Sequence, residues 1–352
     1  MAVRLREALA TLPGYVGGRT VPDAVKLASN ETPYPALPHV VARLTDTLRA
    51  ANRYPDPASS KLTAALAERY ELPVTRVVVG CGSVSLCQQL VQISTQVGDE
   101  VVYGWRAFEA YPIVAAIAGA AHTRVPLRDE VHDLAAMADA VTDATRLVFV
   151  CNPNNPTGTA VRTADLTAFL AAVPDHVLVV LDEAYHEFVT DPDVPDGRTL
   201  LDDHPNLVVL RTFSKAYGLA GLRVGYALAG DQSVATGLKQ VQVPFAVSQL
   251  AQDAALACLE PEAEKELFTR VETVLAERAR VGDALREMGY AVPPTQANFV
   301  WLALGERTAD WAAGCAEQRV IVRPFAGEGA RVTIGTPDEN DQFLDAARAL
   351  AE

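Results

Sequence analysis

Four short apolar runs, each broken by a cluster of small and polar residues, constrain this chain most. They are VVV at 77–79, RLVFV at 146–150, VLVVL at 177–181 and LVVL at 207–210. A strand that is apolar at nearly every position has to be covered on both faces, which is the situation of parallel sheet. Helical stretches at 40–51, 61–70, 83–96 and 164–172 fall between these runs. Strand and helix thus alternate from about 40 to 235, which predicts an α/β fold: a mostly parallel sheet covered by helices. Such sheets take their ligands beyond the ends of the strands. After Pro244 the texture changes. Helices are expected at 249–259, 262–288, 308–318 and 338–351, with strands at 297–302, 320–322 and 331–336. This reads as a smaller α+β domain. The expected division is an N-terminal arm at 1–30 joining the small domain, a large domain at 31–246 and a small domain at 247–352. A further short helix is expected at 1–12.

The loops after the apolar runs carry the chemistry. Following 207–210 come Thr212, Ser214 and Lys215, then Gly218, Gly221, Arg223 and Gly225. Glycines allow close backbone approach, and Ser214 with Arg223 suits an anion. Lys215 is one of five lysines and the one in a Gly/Ser/Arg loop straight after an apolar strand. Among small and apolar neighbours a lysine pKa falls and its amine becomes a nucleophile; the alternative is a solvated surface lysine. After 77–79, Gly80-Cys81-Gly82-Ser83 leads into a helix, a turn whose free N–H groups and helix dipole suit an anion. The third glycine of a dinucleotide fingerprint is Ser85 here, so Gly82, Ser83 and Val84 read as a cradle for one phosphate, or as an ordinary tight turn.

Composition narrows the function. The net charge is −14 and no basic block exists, against nucleic acid and anionic membranes as partners. No uncharged run approaches the ~20 residues that span a bilayer, and no leader of basic then apolar residues opens the chain. Cys81, Cys87, Cys151, Cys258 and Cys315 show no metal or disulfide spacing, and the six histidines are scattered. Reduced thiols, a cytoplasmic location and no metal site are expected.

The string SKAYGLAGLRVGY at 214–226 resembles the pyridoxal-phosphate lysine segment of fold-type I aminotransferases, nearest the histidinol-phosphate and aromatic branch. NPNNPTG at 152–158, RYPD at 53–56 and RVTIGT at 331–336 are similar to further motifs of that family, so the likeness covers nearly the whole chain. It implies pyridoxal phosphate held by Lys215, which also shuttles a proton. Asp182, at the tip of a buried strand, would balance the charged ring nitrogen; in isolation it could instead cap a helix. Asn155 and Tyr185 would meet the phenolic oxygen. Phe108, in WRAFEAY at 105–111, would stack on the ring, core packing being the alternative. Ser83, Thr212, Ser214 and Arg223 would anchor the phosphate, together with Tyr54 reaching in from the partner of a homodimer.

Substrate residues follow in the same way. Arg331 has the planar fork that suits an α-carboxylate, and Arg323 matches an arginine facing the substrate side chain; a surface ion pair is the alternative for each. Tyr15 and Asn30 would lie near substrate. VRPFAGEGARVTIG at 322–335 looks more like the phenylalanine-type members, so aromatic amino acids with 2-oxoglutarate and glutamate are expected. Histidinol phosphate is the competing substrate. A pyridoxal-phosphate decarboxylase or lyase would share Lys215 and Asp182, and a ligand sensor would need a DNA-binding module that is not seen.

Overall fold

The computed structural model describes Val3 and residues 21–351. The helix expected at 1–12 and Tyr15 lie outside the described residues. In chain order the large sheet and its helices are α1 (Pro38–Thr47), α2 (Ser60–Arg69), β2 (Val77–Gly80), α3 (Gly82–Ser94), β3 (Glu100–Trp105), α4 (Ala110–Ala118), β4 (Ala121–Pro126), α5 (Leu134–Asp139), β5 (Thr145–Cys151), α6 (Thr163–Ala172), β6 (Leu178–Asp182), β7 (Leu207–Thr212), β8 (Gly225–Ala229) and α7 (Gln232–Val241), preceded by the two-residue β1 (Val25–Lys26). The stretch expected as one helix at 40–51 is α1 followed by a single 3-10 turn at Leu48–Ala50.

Seven strands pair in the order β2-β8-β7-β6-β5-β3-β4. All pairs are parallel except the two made by β8, which runs against β2 and β7. The apolar runs behave as their composition requires. Val148, Val150, Val179, Leu181, Leu207 and Val209 enter one core, while Leu147, Phe149, Val180, Val208 and Leu210 enter the core on the opposite face. Period-two alternation thus feeds both layers, and the central strands are covered on both faces, while the edge strand β4 is largely exposed.

The chain continues with α8 (Gln249–Cys258), α9 (Pro261–Glu287), β9 (Phe299–Leu302), α10 (Thr308–Glu317), β10 (Val320–Ile321), β11 (Arg323–Phe325), β12 (Gly329–Thr333) and α11 (Pro337–Ala349). A small antiparallel sheet has the order β11-β12-β9. β1 pairs in parallel with β10, tying the first described segment to this end of the chain. The last strand begins two residues earlier than expected, so Arg331 sits within β12 rather than opening it, directly opposite Arg323.

One buried ion-pair cluster fixes the edge beside the site. Arg211, on β7, is buried and donates to Glu183 at 2.7–2.9 Å and to Asp196. Its charge is stabilised by those two carboxylates against a large desolvation cost. Glu183 also accepts from Gly197 N. These oxygens, which with His186 form a compact acidic group, are therefore engaged by an internal cation.

α11 starts in a full capping box: Glu339 N donates to Thr336 Oγ1 and Thr336 N to Glu339 Oε2. Thr336→Ala is expected to destabilise the protein by about 1 kcal/mol, read as a lower urea midpoint with an unchanged slope.

Candidate active site

The strand ends converge on one cavity of about 230 Å³. β5 ends at Cys151 and is followed by the loop carrying Asn155, β6 ends at Asp182, and β7 ends at Thr212 just before Ser214 and Lys215. Because β8 runs backwards, its first residues lie beside the end of β7, with Gly225 paired to Thr212 on one side and Gly80 on the other. That reversal brings Arg223 to the same edge. The small sheet adds Arg323 and Arg331 from the other side of the cavity, and Asn30 comes from the segment after β1.

Of the sequence-derived candidates, Asn30, Ser83, Val84, Phe108, Asn155, Asp182, Tyr185, Thr212, Ser214, Lys215, Arg223, Arg323 and Arg331 line this cavity. Gly82 stands directly behind it. Its φ is +74°, and a Cβ there would come within 2.5 Å of Arg223 Nη2, so a glycine is needed for both backbone and space. Gly225 is equally tight, with Ser83 N 2.7 Å from where a Cβ would be. Tyr54 does not line the cavity; it is 82% exposed and stacks on Phe245 at 4.5 Å. Two larger clefts, of about 630 and 850 Å³, lie between α5 and α6 and around Arg211. Neither holds the lysine, so size does not identify the site here.

Lys215 Nζ donates to Ser29 O at 3.2 Å and lies 5.9 Å from the Tyr185 ring centroid. Burial and then the nearby Arg331 and Arg223 lower its pKa to about 7, against the opposing pull of Glu31 and Asp182. An amine so placed is substantially neutral near pH 7 and nucleophilic. Asp182 moves the other way: burial raises its pKa to about 6, opposed chiefly by a hydrogen bond from Tyr111. Asp182 does not occupy the N-cap position of the following 3-10 turn, which is that of Tyr185 and carries no side-chain cap.

Two features fit pyridoxal phosphate on chemical grounds. Asp182 Oδ1 is buried and receives no hydrogen bond from the protein, which matches a protonated ring nitrogen. The N-terminus of α3 has no side-chain cap, and Arg223 and Ser214 stand together beside it, with Arg223 Nη1 3.5 Å from Ser214 Oγ. Uncapped N–H groups, a hydroxyl and a guanidinium suit a phosphate. Arg331 donates to Asn155 Oδ1 and to Ala28 O, so it joins the cofactor-side loop to the arm. Asn30 holds Tyr185, with Nδ2 donating to its hydroxyl at 2.9 Å, and is itself fixed by Thr333.

Sequence reasoning missed Tyr111. Its hydroxyl donates to Asp182 Oδ2 at 2.8 Å, and its ring lies on Phe149 at 4.3 Å and nearly parallel. The available signal was its position three residues after Phe108 at a helix start, where a buried phenol needs a partner. Glu109, between them, was likewise given no part and lines the cavity.

Residues 22–346 match the family described as aminotransferase class I and II. The chain is 58% identical over 349 residues to an aromatic amino acid aminotransferase of Mycobacteroides abscessus, covering 99% of both chains. It is 57% identical over 348 residues to one of Thermobifida fusca, covering 98% of this chain and 96% of that one. In structure it is similar to a histidinol-phosphate aminotransferase of Sinorhizobium meliloti in complex with pyridoxal-5'-phosphate. That match has a TM-score of 0.89 at 27% identity, over 99% of each chain.

The shifts of Lys215 and Asp182 give a pH signature in cofactor-stripped protein. Lys215 is neutral in the folded state above about 7 but binds its proton in the unfolded chain up to its ordinary 10.5. The unfolded state therefore binds more protons in that window, and stability rises with pH from about 7 towards 10.5. Asp182 contributes stability that is present below 3.8 and lost as pH rises through about 6. Lys215→Met is expected to flatten the upper limb and, by removing a charge that lowers the Asp182 pKa, to move the lower limb to higher pH, measured by urea unfolding across pH. Tyr111→Phe is expected to raise the apparent pKa of Asp182, moving the lower limb to higher pH.

Proposed function

The chain belongs to the class I and II aminotransferases, and from that premise we propose that it transfers the amino group of aromatic amino acids, phenylalanine-type, to 2-oxoglutarate. It is a pyridoxal-phosphate-dependent transaminase. The observation that carries the site assignment is that a buried amine, a buried carboxylate oxygen without a protein donor and an uncapped helix end share one cavity. The aromatic substrate rests on the full-length relatives above, which are named aromatic amino acid aminotransferases.

Bound pyridoxal phosphate supplies an aldehyde that bonds reversibly to amines and a ring that withdraws electrons from the neighbouring carbon. Each protein group has a definite share. Lys215 would hold the cofactor through its Nζ, and its free amine would take up and give back the proton of the substrate Cα. Asp182 would keep the ring nitrogen protonated, with Tyr111 occupying its other oxygen. Asn155 and Tyr185 would hydrogen-bond the phenolic oxygen. Gly82, Ser83, Val84, Thr212, Ser214 and Arg223 would hold the phosphate. Arg331 would bind the α-carboxylate, while Phe108 would pack against the ring. Asn30 holds Tyr185 in place, and Arg323 faces the substrate side chain.

We also propose a homodimer in which Tyr54 reaches the partner's phosphate site. Exposed Tyr54 and Phe245, with Val243 and Leu48 also exposed, support an apolar contact surface. The division into an arm at 1–30, a large domain at 31–246 and a small domain at 247–352 belongs to the same reading, as does a cytoplasmic location. Among the described residues no helix is long and apolar enough to cross a membrane.

Side-by-side kinetics with 2-oxoglutarate as acceptor test the substrate: phenylalanine is expected to give the higher kcat/KM, and a strong preference for histidinol phosphate would overturn the assignment. Lys215→Ala is expected to lower kcat by about 10²- to 10⁴-fold or more and to abolish the change in visible absorbance on adding an amino acid. Retention of both would remove the lysine from the mechanism.

A further inference from the structure

Arg323, one of the arginines that line the cavity, is answered by a carboxylate. Arg323 Nη2 donates to Glu109 Oε2 at 2.8 Å, and both residues line the cavity. Arg106 is held by Glu328 at 2.9 Å. Phe325 lies among these cations, with guanidinium carbons of Arg106 and Arg323 at 5.3 and 5.7 Å from its ring centre. The Arg323 side chain is only 16% exposed and that of Glu109 33%, so the pair is partly withdrawn from water and its charges are felt strongly.

We infer that Glu109 is a specificity-determining residue, whose carboxylate neutralises Arg323 so that the pocket accepts an uncharged ring and disfavours a substrate bearing a phosphate on its side chain. This deepens the aromatic reading and rests on it. A planar ring can lie against the paired guanidinium without disturbing the ion pair, because stacking uses the faces of the groups rather than the N–H edge. A phosphate needs that N–H edge. It has to displace Glu109 from Arg323, or else sit beside a carboxylate of the same sign. An arginine at this position alone would suggest an anion-binding pocket; the glutamate one residue beyond Phe108 removes that character. The discrimination is set by a residue that neither holds the cofactor nor moves a proton.

The test compares binding of histidinol phosphate with histidinol, two molecules that differ in the phosphate, by calorimetry on cofactor-loaded protein carrying Lys215→Ala, so that turnover does not interfere. Adding Glu109→Gln is expected to raise the preference for histidinol phosphate over histidinol by about tenfold or more, and Glu109→Ala is expected to do the same. Adding Arg323→Ala to either is expected to cancel the gain. An unchanged preference in both Glu109 variants would overturn the inference, as would equal tightening of the two ligands, which would signal space rather than charge. Failure of wild-type protein to transaminate phenylalanine is a separate result that bears on the substrate reading alone.

Discussion

A carboxylate at the end of a fully buried strand is the constraint around which this molecule is arranged. Asp182 cannot be hydrated, so burial raises its pKa to about 6, and the rest of the site offsets that cost. Tyr111 supplies one hydrogen bond, the nearby Lys215 supplies favourable charge, and the second oxygen is left without a protein donor. The same enclosure acts on the lysine with the opposite sign, lowering the amine to about 7. One low-dielectric cavity therefore shifts an acid and a base towards each other, which frees the Lys215 amine near neutral pH while Asp182 stays ionised above about 6.

The fold makes that juxtaposition geometric rather than accidental. Parallel strands deliver their carboxyl ends to a single edge. The reversed β8 lets Arg223 approach the start of α3, and Gly82 and Gly225 leave room where a methyl group would collide. From the opposite side, β11 and β12 set Arg323 and Arg331 as direct neighbours. Arg331 then ties the Asn155 loop to the segment at Ala28.

Much of this was legible before any coordinates. The two-faced strands announce themselves as unbroken β-branched runs, and the loop residues Lys215, Asp182, Asn155 and Arg223 lie where those runs stop. Residues whose meaning comes from a long-range partner were not legible. Tyr111 reads as one more core aromatic until its hydroxyl is found on Asp182, 71 positions away. Glu109 reads as a surface charge until it meets Arg323, which is 214 positions distant. The resemblance placed Asn30 near substrate, but its link to Tyr185 and Thr333 depends on the segment after β1 folding back onto β12.

By itself the sequence determined the layers and the chemistry available: apolar periodicity decides which segments are buried, and residue type decides which groups can bind an anion, attack a carbonyl or carry a proton. Tertiary structure alone decided how those groups are tuned and what they exclude. Desolvation and charge pairing depend on distance through space, and the pairings Asp182 with Tyr111, Arg331 with Asn155 and Arg323 with Glu109 join elements that local sequence gives no reason to bring together.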